Sequence, residues 1–253
     1  MTATSVTTTA FTDTGAVRPH NEDTIAVGAW LTSAPTPAPV IARHEAGAPL
    51  VCLVADGMGG HAAGEVASRE VARFLALHAP AATDAAALAE CLRAANRALF
   101  ELMDEQPTLR GMGTTVAGLR ITPSGVLVFN VGDSRVYRIE AESLTQLSTD
   151  DTPGPKLPDC RTAVYTTSQI SQCLGGEFRL TDIAPHVLTE PLPSAGGWLI
   201  CSDGLTDLLE PAAIASLLQP DDAASVTALF EAAMAEGGSD NISLIMVRLG
   251  PAG

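Results

Sequence analysis

Three apolar runs in this sequence each finish on an aspartate: Leu50-Val51-Cys52-Leu53-Val54-Ala55 on Asp56, Leu127 to Gly132 on Asp133, and Trp198 to Ser202 on Asp203. Asp23 and Asp240 stand at the junctions with two further apolar runs, Thr24 to Trp30 and Ile242 to Leu249. Strand ends of this kind can meet at one edge of a sandwich of sheets. Carboxylates gathered in a low-dielectric rim repel one another and take up protons unless something positive neutralises them. Hard divalent cations do so, and an oxygen-only donor set without His or Cys at ligand spacing points to Mg2+ or Mn2+ rather than Zn2+. Two such ions about 4 Å apart can bridge a hydroxide, lower its pKa and direct it in line at a phosphoryl group. Arg18 adds a guanidinium that can grip phosphate oxygens in a bidentate fashion.

Each of these signals has an ordinary counterpart. Asp56-Gly57, followed by Gly59, Gly60 and Gly64, is a common turn pattern, although the same glycines let backbone carbonyls approach a ligand. Arg18-Pro19-His20-Asn21-Glu22-Asp23 fits a solvated turn as well as a site. His61 fits a proton donor, a cap or a surface residue. Ser134 and Ser202 adjoin aspartates, but no His lies near them in sequence and neither stands in a Gly-x-Ser-x-Gly elbow, which disfavours a serine nucleophile. No Gly-Lys-Ser/Thr follows a glycine run, so a P-loop is absent.

The elements that must carry these residues form an α+β chain. With 253 residues the chain is expected to fold as a single domain, residues 1–253, with a substantial core. Its 14 basic against 29 acidic residues give a net charge of −15, which argues against nucleic acid as a partner and suits metal cations. Five scattered cysteines with no Cys-x-x-Cys pair read as reduced, mostly buried thiols. No signal peptide and no stretch of membrane-spanning length is visible, so a cytoplasmic location is expected.

Strands are expected at Ser5 to Thr12, Thr24 to Trp30, Leu50 to Ala55, Thr115 to Ile121, Val126 to Gly132, Arg135 to Ile139, Leu144 to Leu147, Ile183 to Leu188, Trp198 to Ser202 and Ile242 to Leu249. Thr32 to Pro49, with four prolines, is expected to hold no regular element. Apolar periodicity predicts helices over Glu65 to His78 and around Leu88 to Met103, the latter capped by Asp84 and stopped by Pro107. Further helical segments are expected near Ser168 to Leu174, Thr206 to Leu218 and Ser225 to Glu236.

The ordered set Arg18-x-x-Asn21-Glu22-Asp23, Asp56-Gly57-Met58-Gly59-Gly60-His61, Gly111-x-Gly113-Thr114-Thr115, Val131-Gly132-Asp133-Ser134-Arg135, Ser202-Asp203-Gly204-Leu205 and Asp240-Asn241 closely resembles the bacterial branch of the metal-dependent protein phosphatases, the type 2C family. The resemblance spans roughly Val6 to Leu249. It implies a four-layer αββα sandwich of two antiparallel sheets flanked by helix pairs. It also implies hydrolysis of phosphoserine and phosphothreonine by a metal-bridging hydroxide, with two central Mn2+ or Mg2+ ions and a third, weaker one.

Carried over, Asp56 would bridge the central ions and the Gly57 carbonyl would bind one of them. Asp203 and Asp240 would complete the second centre, with Asp23 and Glu22 acting near it through water. Asp133 with Asp203 would form the third site, Arg18 would bind phosphate, and Asn241 would orient Asp240 or its water. Met58 stands where animal members have a histidine proposed as general acid, which makes a metal-bound water the expected proton donor. Between Leu147 and Ile170, where members carry a flap, this chain is short and proline-rich.

The expected partners are phosphorylated proteins and a cognate serine/threonine kinase, with no nucleic acid and no membrane, acting on a monomer. A catalytically silent regulatory or binding module of the same fold is the alternative, and a phosphatase of small phosphoesters is a third. Retention of Asp23, Asp56, Asp203 and Asp240 speaks against the silent module, because mutually repelling carboxylates serve no purpose there.

Overall fold

The computed structural model describes residues 4–45, 47–58, 63–140, 143–153, 170–193 and 196–251. The chain opens with β1 (Thr4–Asp13), β2 (Thr24–Val27), β3 (Trp30–Thr32), β4 (Val40–His44), β5 (Leu50–Ala55) and the short β6 (Gly57–Met58). Helices α1 (Ala63–His78) and α2 (Ala85–Glu105) follow. Next come β7 (Gly113–Thr114), β8 (Val116–Thr122), β9 (Gly125–Val131), β10 (Arg135–Ile139) and β11 (Leu144–Gln146). The last third holds β12 (Leu174–Gly175), β13 (His186–Glu190), β14 (Gly196–Cys201), α3 (Asp203–Thr206), α4 (Pro211–Leu217), α5 (Asp222–Ala235) and β15 (Ile242–Pro251).

Two six-stranded sheets, ordered β11-β10-β14-β15-β1-β4 and β13-β9-β8-β5-β2-β3, pair antiparallel throughout. Ile25, Val54, Leu119, Trp198, Ile200, Ile245 and Val247 from both sheets fill the layer between them. The outer face of the second sheet is covered by α1 and α2, whose stripe includes Val71, Leu75, Leu88, Leu92 and Leu99. Full burial of each such leucine contributes about 2 kcal/mol. Phe11, Leu199 and Met246 on the other outer face pack with Leu205, Ile214 and Leu229 of α3 to α5. The result is the expected αββα order of layers. β15 is apolar on both faces because it lies between β14 and β1 and is covered above and below.

The helix ends obey local rules. Asp84 Oδ1 accepts from the Ala87 amide at 2.8 Å and starts α2. Five expectations fail. The strand expected from Thr24 to Trp30 turns back at Gly28, which sits at φ 57°, and becomes the antiparallel pair β2 and β3. The Thr32 to Pro49 stretch contains β4, which pairs with β1 from Val6↔His44 to Ala10↔Val40, because no proline falls between Pro39 and Pro49 and residues 40–44 are free to extend. The segment expected as one helix from Thr206 to Leu218 is broken into α3 and α4, since Pro211 removes a donor and holds Glu210 extended at ψ 151°. β13 begins at His186 rather than Ile183, after Pro185; Ile183 instead packs with the α1 and α2 core. Residues 170–173 are not helical and Leu174–Gly175 is a strand, β12. Residues 168–169 and most of the proline-rich loop lie outside the described residues, as do Gly59, Gly60, His61 and Cys160.

Candidate metal centre

Strand register brings the aspartates to one edge. β2 starts directly after Asp23 and β5 ends directly before Asp56, and their pairing Thr24↔Ala55 sets these two carboxylates side by side. In the other sheet, β14 ends just before Asp203 and β15 starts just after Asp240, with Cys201↔Leu244 paired. The Ser202 hydroxyl spans the sheets, donating to Asp23 Oδ2 at 2.9 Å. Asp133 follows β9, at the turn into β10, which pairs with β14. Asp56, Asp23, Asp203 and Asp240 feel one another's charge.

Burial dominates the electrostatics of this edge. Asp23, fully buried, is pushed up to about 7 by desolvation, partly relieved by hydrogen bonds from Ser243 and Ser202. Desolvation and then the Asp203 charge push Asp133 up to about 7, and desolvation pushes Asp203 up to about 6. Asp56 rises well above the usual carboxylate range, by burial first and by Asp23 and Asp203 next. Glu22 is raised by burial too. Among the described residues, Oδ1 of Asp23, of Asp133 and of Asp203 are buried with no hydrogen-bond partner. The remaining atom of this kind, Nε1 of Trp198, lies between the sheets.

Arg18 reaches the same edge, where its Nη2 donates to Asp240 Oδ2 at 2.6 Å while half its side chain stays exposed. Asn241 anchors the loop that carries it. Its side-chain amide donates to the Thr14 and His20 carbonyls at 2.9 Å each and its oxygen accepts the Glu22 amide at 2.8 Å. Its own backbone amide donates to Asp240 Oδ1 at 2.8 Å. Beneath Gly57, a small sheet of β12, β7 and β6 fixes the turn. The Thr114 hydroxyl donates to the Asp56 carbonyl at 2.8 Å, and the Thr115 hydroxyl pairs with Ser134 at 2.7 Å, linking the turns of Asp56 and Asp133. A Cβ on Gly57 would stand 2.3 Å from the Gly64 carbonyl oxygen and 2.6 Å from that of Glu22, so only glycine lets α1 close on this turn.

Sequence reasoning singled out the carboxylates but not these hydroxyl supports. Ser202, Ser243, Thr114 and Thr115 adjoin the motifs, yet nothing in their spacing says which oxygen each will meet. Asp207 stands in no motif, yet it lies one helical turn after Asp203 and adds negative charge to both Asp203 and Asp133.

Among the described residues no group of three or more His, Cys, Asp or Glu side chains is arranged, as it stands, to hold a metal ion. The edge is instead an open row of carboxylates with unmet buried oxygens, an all-oxygen donor set that fits a hard divalent cation. Among the described residues no helix is long and apolar enough to cross a membrane. Cys52, Cys91, Cys173 and Cys201 are free thiols.

Residues 40–243 match the protein phosphatase 2C family. The serine/threonine protein phosphatase PstP of Mycobacterium tuberculosis (strain CDC 1551 / Oshkosh) is 32% identical over 248 residues, covering 94% of this chain and 44% of that protein. This chain therefore spans under half the length of that relative. The serine/threonine phosphatase stp of Listeria welshimeri is 30% identical over 258 residues, 93% of each chain. Among solved structures, the catalytic domain of PstP in complex with two manganese ions superposes with a TM-score of 0.78 at 31% identity, over 97% of this chain and 99% of that one. Profile, overall fold and the acidic edge agree, and the chain belongs to the protein phosphatase 2C family.

Proposed function

We propose that this chain is a Mn2+- or Mg2+-dependent serine/threonine protein phosphatase. The observation that carries it is the row of unmet buried oxygens on Asp23, Asp133 and Asp203 beside the half-exposed guanidinium of Arg18. Its named relatives are serine/threonine phosphatases, and one of them binds two manganese ions. In this reading Asp56, the Gly57 carbonyl, Asp203 and Asp240 would hold two central ions, with Asp23 and Glu22 acting through water. Asp133 with Asp203 holds a weaker third.

When bound, the ions supply a nucleophile from water at neutral pH and positive charge for the phosphoryl oxygens. Arg18 grips the phosphate at the rim, and Asp240 holds its guanidinium in place beforehand, which reduces the ordering cost of binding. Asn241 keeps Arg18, Glu22 and Asp240 in mutual register through its four hydrogen bonds. Met58 carries no transferable proton, so the leaving seryl or threonyl oxygen takes its proton from water. The chain acts in this account as one catalytic domain, a cytoplasmic monomer that opposes a serine/threonine kinase.

Turnover of a phosphothreonine peptide compared with that of para-nitrophenyl phosphate, both with Mn2+, tests the substrate class. A kcat/KM that favours the peptide is expected. Preference for small phosphoesters over every peptide tried would make it a metabolite phosphatase, and failure on both by a folded protein would leave the regulatory module.

A further inference from the structure

The loop bearing Asp133 is gripped on both sides by a pair of adjacent acids that the proposed chemistry does not use. Asp150 chelates the Arg135 guanidinium, with Oδ2 at 2.7 Å from Nη2 and 3.0 Å from Nε, and also accepts from Gln146 at 2.7 Å. Asp151 turns the other way. Its Oδ2 accepts the Gly132 amide at 2.8 Å, and its own amide donates to the Gly132 carbonyl at 3.0 Å. Arg135 is two residues after Asp133 and Gly132 is one before it, so the two acids bracket the turn.

Asp151 also gathers two other pieces of chain. Oδ2 accepts from Gln172 Nε2 at 2.8 Å, Oδ1 meets His186 Nε2 at 2.8 Å, and the Asp151 carbonyl accepts the Ser171 amide at 2.7 Å. Gln172 in turn clasps the Ala184 amide and carbonyl at 2.9 and 3.0 Å. His186 is the cross-strand partner of Asn130 on β9, and the Asn130 side chain exchanges hydrogen bonds with the Thr149 backbone at 2.7 and 3.1 Å. With only 11% of its side chain exposed, Asp151 is the point where β9, β13 and residues 171–172 meet the Asp133 turn.

Asp133 Oδ1 is buried without a hydrogen-bond partner among the described residues, and the hydrogen bond its carboxyl does make is a local one to its own backbone, so its direction follows that of the turn. Gly132 sits at φ 100°, a conformation that glycine tolerates freely and that must be held by its hydrogen bonds. We propose that Asp151 is a positioning residue that, by clamping both backbone groups of Gly132, fixes the direction in which Asp133 presents its carboxylate to a divalent cation. This rests on the cation-binding part of the proposed function and not on the identity of the substrate. The neutral isostere Asp151→Asn keeps an oxygen for the Gly132 amide and a polar group facing His186, whereas Asp151→Ala takes the side-chain partner from the Gly132 amide, Gln172 and His186 and keeps only the backbone bond to the Gly132 carbonyl.

The test is calorimetric titration of the full chain with Mn2+, for wild type, Asp133→Ala, Asp151→Ala, Asp151→Asn and the double alanine variant, each checked for folding by its melting transition. Loss of an outer-shell support typically weakens a metal site by about tenfold to a hundredfold. Asp133→Ala and Asp151→Ala are expected to weaken the same binding event, Asp151→Ala by about tenfold or more, and to leave the tighter events unchanged. Asp151→Asn should stay within about threefold of wild type, and adding Asp151→Ala to Asp133→Ala should weaken Mn2+ binding no further. An Asp151→Ala titration that overlays wild type, an equal weakening of every event, or a further loss in the double variant would overturn the assignment, as would an Asp133→Ala protein that binds like wild type. Normal Mn2+ binding by a protein that hydrolyses no phosphopeptide would defeat the proposed function alone.

Discussion

Asp150 and Asp151 have every carboxyl oxygen met by a donor, whereas Asp23, Asp133 and Asp203, at the neighbouring edge, each keep a buried oxygen that meets none. Both groups are built from aspartates at or near strand ends. In the first, an arginine, a histidine, two amide side chains and a backbone N–H supply the compensation from within the chain. In the second, carboxylates are placed against one another, and burial raises them towards neutrality. A protein that could satisfy acids internally at Asp150 and Asp151 leaves them unsatisfied at the edge, where, in the proposed function, an external cation would complete them.

The strongest way to break this contrast is to remove an acid from each group. Asp203→Ala is expected to lower phosphate release by about a thousandfold or more at saturating Mn2+ while the protein stays folded. Wild-type turnover in that variant would remove Asp203 from the cation site. Asp150→Asn should do the opposite, leaving Arg135 with a neutral partner in a mostly buried place and costing about 2 kcal/mol in urea unfolding.

The acid edge should also make the metal-free protein respond to pH. In the unfolded chain these aspartates titrate near 3.8, but in the folded chain Asp23 and Asp133 lie at about 7 and Asp203 at about 6. Between these values the folded state binds more protons, so stability falls as pH rises through the window. In EDTA the melting temperature is expected to be higher at pH 5.5 than at pH 8, and Mn2+ should shrink or reverse the difference. Asp133→Asn, which removes one repelling charge, should melt a few degrees above wild type at pH 8 in EDTA. A wild-type melting curve that does not move with pH would contradict the raised values.

Arg18→Ala is the smallest effect. It should raise KM for a phosphothreonine peptide about tenfold, the equivalent of one charge-assisted hydrogen bond, with a lesser change in kcat. A fall in kcat with KM unchanged would show that the guanidinium serves the cation edge through Asp240 instead.

Much of this architecture is legible in the sequence because it follows from long periodic stretches. The runs ending at Asp56, Asp133 and Asp203 become strands, and the Leu88 to Met103 stripe becomes the buried face of α2. What escapes is short or relational. β6, β7 and β12 are two residues each, too short to show any period, yet they hold the Gly57 turn. β4 hides behind the prolines that precede it, and Pro211 cuts a helical pattern that its apolar spacing alone would continue. The carboxylates can be named from motifs, but their hydroxyl supports cannot, because Ser202, Thr114 and Thr115 meet partners 179, 58 and 19 residues away. Asp151 is hidden for the same reason: in the sequence it is one acid in a proline-rich loop, and only the register of β9 and β13 makes it a junction.

The central claim is that the acidic edge is a divalent-cation site that drives phosphoester hydrolysis. Phosphate release from a phosphothreonine peptide, measured across a Mn2+ titration and again after EDTA, tests it most directly. Activity that rises with Mn2+, saturates, and disappears on chelation is expected. Hydrolysis that persists unchanged in EDTA, or a folded protein inert at every Mn2+ concentration, would contradict it.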